Sequence, residues 1–209
     1  MILKLIKCEV DEDKKDAFSI SQTKWTELSS INGFEKQFGG WESESREAII
    51  FAYWKSEDHV KSFMQNYHDE IFNKSNQKKT FKRCKIKYYK KAFEISPLYN
   101  GINKIGFVRV AHCQGVRDKR RFQLDQEKEW NPIMSTQPGM IGGDVWQEST
   151  NNENFLVVSY WESFHAHEQY KNSIFPVIFE RVKPTEYIEQ ITGDAVDIVK
   201  PWSIDDKLV

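Results

Sequence analysis

Two hydrophobic periodicities take turns along this chain, and the whole succession occurs twice. Leu3 to Val10 and Phe107 to Cys113 carry apolar residues at alternate positions or in short runs, the pattern of a strand. Each is followed by a polar stretch, Lys14 to Ser29 and Asp118 to Met134. There Phe18, Trp25 and Leu28, or Phe122, Trp130 and Ile133, fall on one helical face. Gly33 and Gly139 stand where a helix C-cap belongs. Hairpins follow, Phe34 to Glu42 with Ala48 to Trp54 and Met140 to Glu148 with Phe155 to Trp161. Ser56 and Ser163 are N-caps for second helices, Ser56 to Asn73 and Ser163 to Glu180. Their apolar stripes run through Val60, Phe63, Met64, Tyr67 and Ile71, and through Tyr170, Ile174, Val177 and Ile178. Arg83 to Ile95 and Ala195 to Val199 supply the last strands. The order in each copy is βαββαβ, a ferredoxin-like α+β sandwich.

The recurrence is a duplication of sequence as well as of pattern. Cys8 and Trp25 return 105 positions later as Cys113 and Trp130. Gly33 and Glu42-Ser43 return at 106 as Gly139 and Glu148-Ser149, and Tyr53-Trp54-Lys55-Ser56 at 107 as Tyr160-Trp161-Glu162-Ser163. Offsets that grow by single residues at turns mark two drifting copies of one module. The expected domains are 1–97 and 105–209, joined by a linker at 98–104 inside the Pro-, Gly- and Asn-containing segment Ser96 to Lys104. Ile6 with Cys8, Ile49 with Phe51, and Leu156 with Val158 put apolar groups on both sheet faces, so the face opposite the helices also needs a cover. Packing the two sheets together supplies it. The predicted fold class is therefore α+β, tandem ferredoxin-like repeats forming an intramolecular dimeric α/β barrel, either a monomer with pseudo-dimeric halves or a weak homodimer.

Composition narrows the partners. The chain has 30 Lys and Arg against 31 Asp and Glu in 209 residues, a net charge of −1 that gives no long-range pull toward nucleic acid or an anionic membrane. The run Lys78, Lys79, Lys82, Arg83, Lys85, Lys87, Lys90, Lys91, interleaved with Phe81, Tyr88 and Tyr89, reads more simply as a charged edge strand than as a nucleic-acid surface. No segment is apolar for long enough to span a membrane or serve as a signal peptide, so a cytoplasmic location is expected. Cys8, Cys84 and Cys113 are an odd number without a CxxC pair, which predicts reduced thiols rather than a disulfide framework or a zinc site. Nucleotide-binding, metalloprotease and serine-hydrolase motifs are absent from the sequence.

The duplicated βαββαβ order, Gly39-Gly40-Trp41 in the hairpin and His68 to Ile71 in the second helix resemble the antibiotic biosynthesis monooxygenase-like superfamily, and more closely its two-domain YdbC-like bacterial proteins. The resemblance covers nearly the whole chain. It implies a small-molecule ligand in a barrel pocket, either as a cofactor-independent monooxygenase or binder of an aromatic or polyketide-like compound, or as a non-catalytic ligand-sensing or stress-associated module. No cofactor is expected, with haem a lesser alternative. The haem-degrading relatives use a helix His, a Trp and an Asn on the first strand, and neither first strand here has that Asn.

Candidate site residues are polar groups on otherwise buried stripes. His68, replaced by Phe175 in the second copy, reads either as a general base or ligand or as a core-edge His paired with Asp69. His112 lies near the end of a first strand where a pocket could open, and His167 replaces Val60 on a core stripe. His59 and His165 are expected to be solvated. Lys4 and Arg109 occupy equivalent positions and suit an anionic ligand or interdomain salt bridges. Trp41, Trp54, Trp146 and Trp161 could line the pocket or fill the core. No metal site is expected.

Overall fold

In a computed structural model describing residues 1–45, 47–98 and 101–205, the chain adopts the duplicated order read from its pattern. Tyr99 and Asn100 of the expected linker, and residues 206–209 of the expected second domain, lie outside the described residues. Contacts divide the chain into one unit of Met1–Tyr89 completed by the segment from Ile198 onward, and a second of Lys90–Asp197.

The first unit contains β1 (Ile2–Glu9), α1 (Lys15–Gln22), β2 (Phe34–Glu42), β3 (Glu47–Trp54), α2 (Glu57–Asn66), α3 (His68–Ser75) and β4 (Arg83–Ser96) as far as Tyr89. β1 and β2 both pair antiparallel with β3, in registers that set Lys4 and Gln37 on either side of Ala52. Cross-strand partners share a sheet face, so Lys4, Ala52 and Gln37 form one row, with Ile6, Cys8, Ile50 and Trp54 on the same face. The opposite face carries Leu3, Leu5, Phe38, Phe51 and Tyr53, and these too are buried. The two-residue strand Ile204–Asp205 adds to β2, while Trp202 packs on Phe18 and Trp41 and donates its indole N–H to Ser19 Oγ at 2.9 Å.

The second unit repeats the plan with β5 (Phe107–Val116), α4 (Lys119–Asp125), a π-turn at Gln126–Trp130, α5 (Asn131–Met134), β6 (Met140–Glu148), β7 (Phe155–Trp161), α6 (Phe164–Ser173), α7 (Phe175–Val182) and β8 (Ile188–Ile198). β7 lies between β5 and β6, and β8 pairs with the other side of β5. The row equivalent to Lys4, Ala52 and Gln37 is Arg109, Ser159 and Gly143, extended by Ala195 on β8.

Several expectations are corrected by local chemistry. The first helix does not run unbroken from Lys14 to Ser29. It becomes a 3-10 helix over Thr23–Ser30, where the hydroxyls of Thr23, Ser29 and Ser30 bond carbonyls three residues back. Each second helix is also two helices. Pro176, lacking an N–H, opens α7, and Tyr67 is the break between α2 and α3. These breaks rotate the stripes, so Tyr67 and Val177, expected inside, are exposed. The serine caps are present, the hydroxyls of Ser56 and Ser163 accepting from the backbone N–H of His59 and Ala166. The glycine caps are not: the helices end at Ile31 and Ser135, and Gly33 and Gly139, with φ of 81° and 77°, turn the chain beyond those ends into the hairpins.

The expectation of three reduced thiols is corrected as well. Cys8 on β1 is joined by a disulfide to Cys84 on β4, across adjacent strands, and Cys113 is a buried free thiol. Burial pushes the Cys113 thiol up to about 12, so it is inert as a nucleophile at neutral pH. No helix among the described residues is long and apolar enough to cross a membrane.

Candidate functional site

Each unit has a cavity between its helices and the sheet face bearing the cationic row. In the second unit it measures about 560 Å³, within the range of small-molecule sites. Trp130, Tyr170, Phe175, Phe179 and Tyr187 supply aromatic walls, and Arg109, Ser159, His167 and Gln126 the polar points. The corresponding cavity of the first unit is about 160 Å³, lined by Lys4, Gln37, Trp54 and His68 among others. Part of the difference lies in the row itself: Gln37 extends a side chain where the second unit has Gly143.

The electrostatics of the larger cavity centre on Arg109 and His167. His167 is 5% exposed and lies against the rings of Phe107 and Trp161. Burial, and then the nearby Arg109 guanidinium, lower its pKa to about 4, so the imidazole is neutral at physiological pH. Its Nδ1 is buried without a hydrogen-bond partner among the described residues, and so is Oε1 of Gln126, which lines the same cavity. Buried polar atoms are normally satisfied, so two such atoms beside one cavity indicate groups that a ligand or water would complete. The Arg109 guanidinium lies over Gly193 of β8, in space that a Cβ there would take.

The expected site residues are distributed unevenly. Lys4, Trp54 and His68 line the smaller cavity, and Arg109 and His167 the larger. His68 keeps the bland feature expected of it as well, with Nδ1 2.9 Å from Asp69 Oδ1 and its ring stacked on Phe72. His112 lines neither cavity: its Nε2 is 2.6 Å from Asp194 Oδ2 on the neighbouring strand. Trp41 also lies outside both, packed against Phe18 and Trp202 under the ammonium of Lys15. Trp146 and Trp161 are fully buried core residues outside both linings, and Trp161 donates to Ser159 Oγ at 2.9 Å. His165 is exposed, whereas His59 is half-buried and bonded to the Ser56 hydroxyl. Sequence reasoning missed Gln37, Gln126, Ser159 and Gly193. Ser159 and Gly193 could have been found from strand phase, since they flank Arg109 on neighbouring strands.

Toward haem, the donor set of the larger cavity fits in part: a neutral imidazole with an unsatisfied nitrogen, and a guanidinium suited to a propionate, but no Asn on β5.

Two family models match the chain, one on each copy. A domain of unknown function, DUF4937, matches residues 2–89, and the antibiotic biosynthesis monooxygenase family matches residues 117–174. "Uncharacterized protein YdbC" of Bacillus subtilis (strain 168) is 36% identical over 92 residues, which are 43% of this chain and 77% of that protein. A putative monooxygenase from Fusobacterium nucleatum shares the fold over 98% of this chain and 94% of its own, with a TM-score of 0.77 at 10% identity. An anthrone oxidase-like protein does so over 99% and 93%, with a TM-score of 0.72 at 10% identity. A haem-degrading enzyme from Listeria monocytogenes shares the fold less closely, with a TM-score of 0.50 at 12% identity over 93% of this chain and 98% of its own.

Proposed function

We propose, because this chain belongs to the antibiotic biosynthesis monooxygenase-like superfamily and is a YdbC-like member of it, that its second unit binds a small planar phenol or enol and supports oxygenation of that compound by dioxygen without a bound cofactor. The observation that carries the reading is the 560 Å³ cavity that places Arg109 and a neutral His167 among aromatic walls. A flat ring gains apolar burial there, and the few polar groups orient it. The guanidinium favours the ionised form of the compound's hydroxyl, as a cation does for any oxyanion. The imidazole, held neutral, can accept a hydrogen bond or the proton as that anion forms.

Such an anion gives electrons to dioxygen far more readily than its conjugate acid. For a substrate with a benzylic CH₂ the reaction balances without a cofactor. One oxygen atom forms the new C=O at that carbon, the O–O bond breaks, and the other oxygen leaves as water with the two C–H hydrogens. The substrate loses four electrons and dioxygen gains them. The likeness to an anthrone oxidase-like protein makes anthrone the first probe.

The test is dioxygen uptake by the intact chain with anthrone, measured above the buffer rate. One dioxygen per anthrone is expected, with Arg109→Leu and His167→Phe each slowing uptake at least about tenfold. Anthrone binding without uptake would establish the second reading, a non-catalytic binding module. The low pKa of His167, which makes it a weak base, favours that reading. No anthrone binding would overturn the proposed substrate class. Haemin titration distinguishes a haem protein, whose Soret shift would be lost in His167→Phe.

A further inference from the structure

The smaller cavity of the first unit poses a separate question of charge. Lys4 is 3% exposed, and its ammonium contacts the thioether of Met64 at 3.2 Å and the ring of Phe63 at 5.5 Å. No carboxylate among the described residues pairs with it. Burial lowers its pKa to about 8, which still leaves it charged at pH 7. A buried cation without a counter-ion is unfavourable unless something completes it.

Two further donors border the same space. Nε2 of Gln37 and Nε1 of Trp54 are buried without a hydrogen-bond partner among the described residues, and both residues line the cavity. Gln37 and Lys4 are both register partners of Ala52, so an alanine floor lies between the two side chains. Trp54 is two residues along β3 on the same face. The other polar side chains at this cavity already have partners: Gln77 accepts from Trp25 and donates to Gln22, and His68 is bonded to Asp69. The set that remains is one cation and two neutral donors.

We propose that the first unit's cavity is a binding site for a small organic monocarboxylate, whose carboxylate takes Lys4, Gln37 and Trp54 as its donors. The 160 Å³ volume limits the rest of the ligand. An engineered apolar cavity of about 150 Å³ admits one benzene, so a benzoate-sized acid is near the upper limit. The walls favour such a ring, since Trp25, Phe63 and Phe72 also border the cavity. This site is independent of the second unit's cavity and of the oxygenation proposed there.

The test is calorimetric titration of the intact chain with benzoate, n-butyrate and neutral benzamide. It is repeated in an Arg109→Leu background, so that any binding in the second unit is subtracted. Benzoate is expected to bind at least tenfold more tightly than benzamide. It should shift one indole N–H resonance, identified as Trp54 by its disappearance in Trp54→Phe. Lys4→Met, which keeps the stem and removes the charge, should weaken benzoate binding at least tenfold. Gln37→Leu should weaken it several-fold and serves as the variant should Lys4→Met fail to fold. Equal affinity for benzoate and benzamide, or benzoate binding unchanged by both substitutions, overturns the proposal.

Discussion

The guanidinium of Arg109 occupies the space that a side chain at position 193 would need, so Gly193 is where β8 makes room for the cation of the larger cavity. A Cβ there would also stand 2.7 Å from the Val110 carbonyl oxygen. Gly193→Ala should therefore displace Arg109 and cost about 1–3 kcal/mol of stability as overpacking. Anionic ligands of the second unit should bind about tenfold more weakly. Denaturant unfolding and ligand titration of the same variant measure the two effects.

His167 links stability to acid. Its pKa is about 4 in the folded chain against an ordinary value of 6.5, so between these values the unfolded chain binds a proton that the folded chain does not. Stability should fall as pH drops from 6.5 to 4, by up to about 3 kcal/mol. In His167→Phe that part of the slope should vanish, as seen in thermal unfolding across the same window.

Lys4 acts with the same sign in a higher window. With a pKa of about 8 when folded and 10.5 ordinarily, it makes the ligand-free chain more stable as pH rises from 8 to 10.5, because the unfolded chain holds the extra proton. Lys4→Met removes this dependence and should raise stability at pH 7 by about 1–3 kcal/mol, as expected when an uncompensated buried charge is deleted. The difference between the unfolding curves of the two proteins isolates Lys4 from other groups that titrate at high pH.

The Cys8–Cys84 disulfide closes a loop with a sequence separation of 76. Cys84→Ser should lower stability by about 2–4 kcal/mol, chiefly through a less restricted unfolded chain. Thiol titration in denaturant should find one thiol, Cys113, before reduction and three after it.

The duplication, the hairpin limits and the serine caps were legible because each rests on local chemistry or on matching residues. The helix breaks were not. The hydroxyls of Thr23, Ser29 and Ser30 look innocuous on a helical wheel until they take carbonyls from the ladder. β8 was read too short because Glu189, Thr192, Gly193 and Asp194 obscure its alternation, although it begins at Ile188. At the site, strand phase correctly grouped Lys4 with Cys8, and Arg109 with Ala111 and Cys113. His112, one residue out of that phase, lines neither cavity. The disulfide depends on β1 and β4 being neighbours, which spacing alone cannot reveal.

The segment from Ile198 onward belongs to the unit that begins at Met1, and Trp202 within it is wholly enclosed against Phe18 and Trp41. The core of the first unit is therefore closed by residues that lie further along the chain than the whole of the second unit. A cut between Asp197 and Ile198 would part that plug from the core it fills.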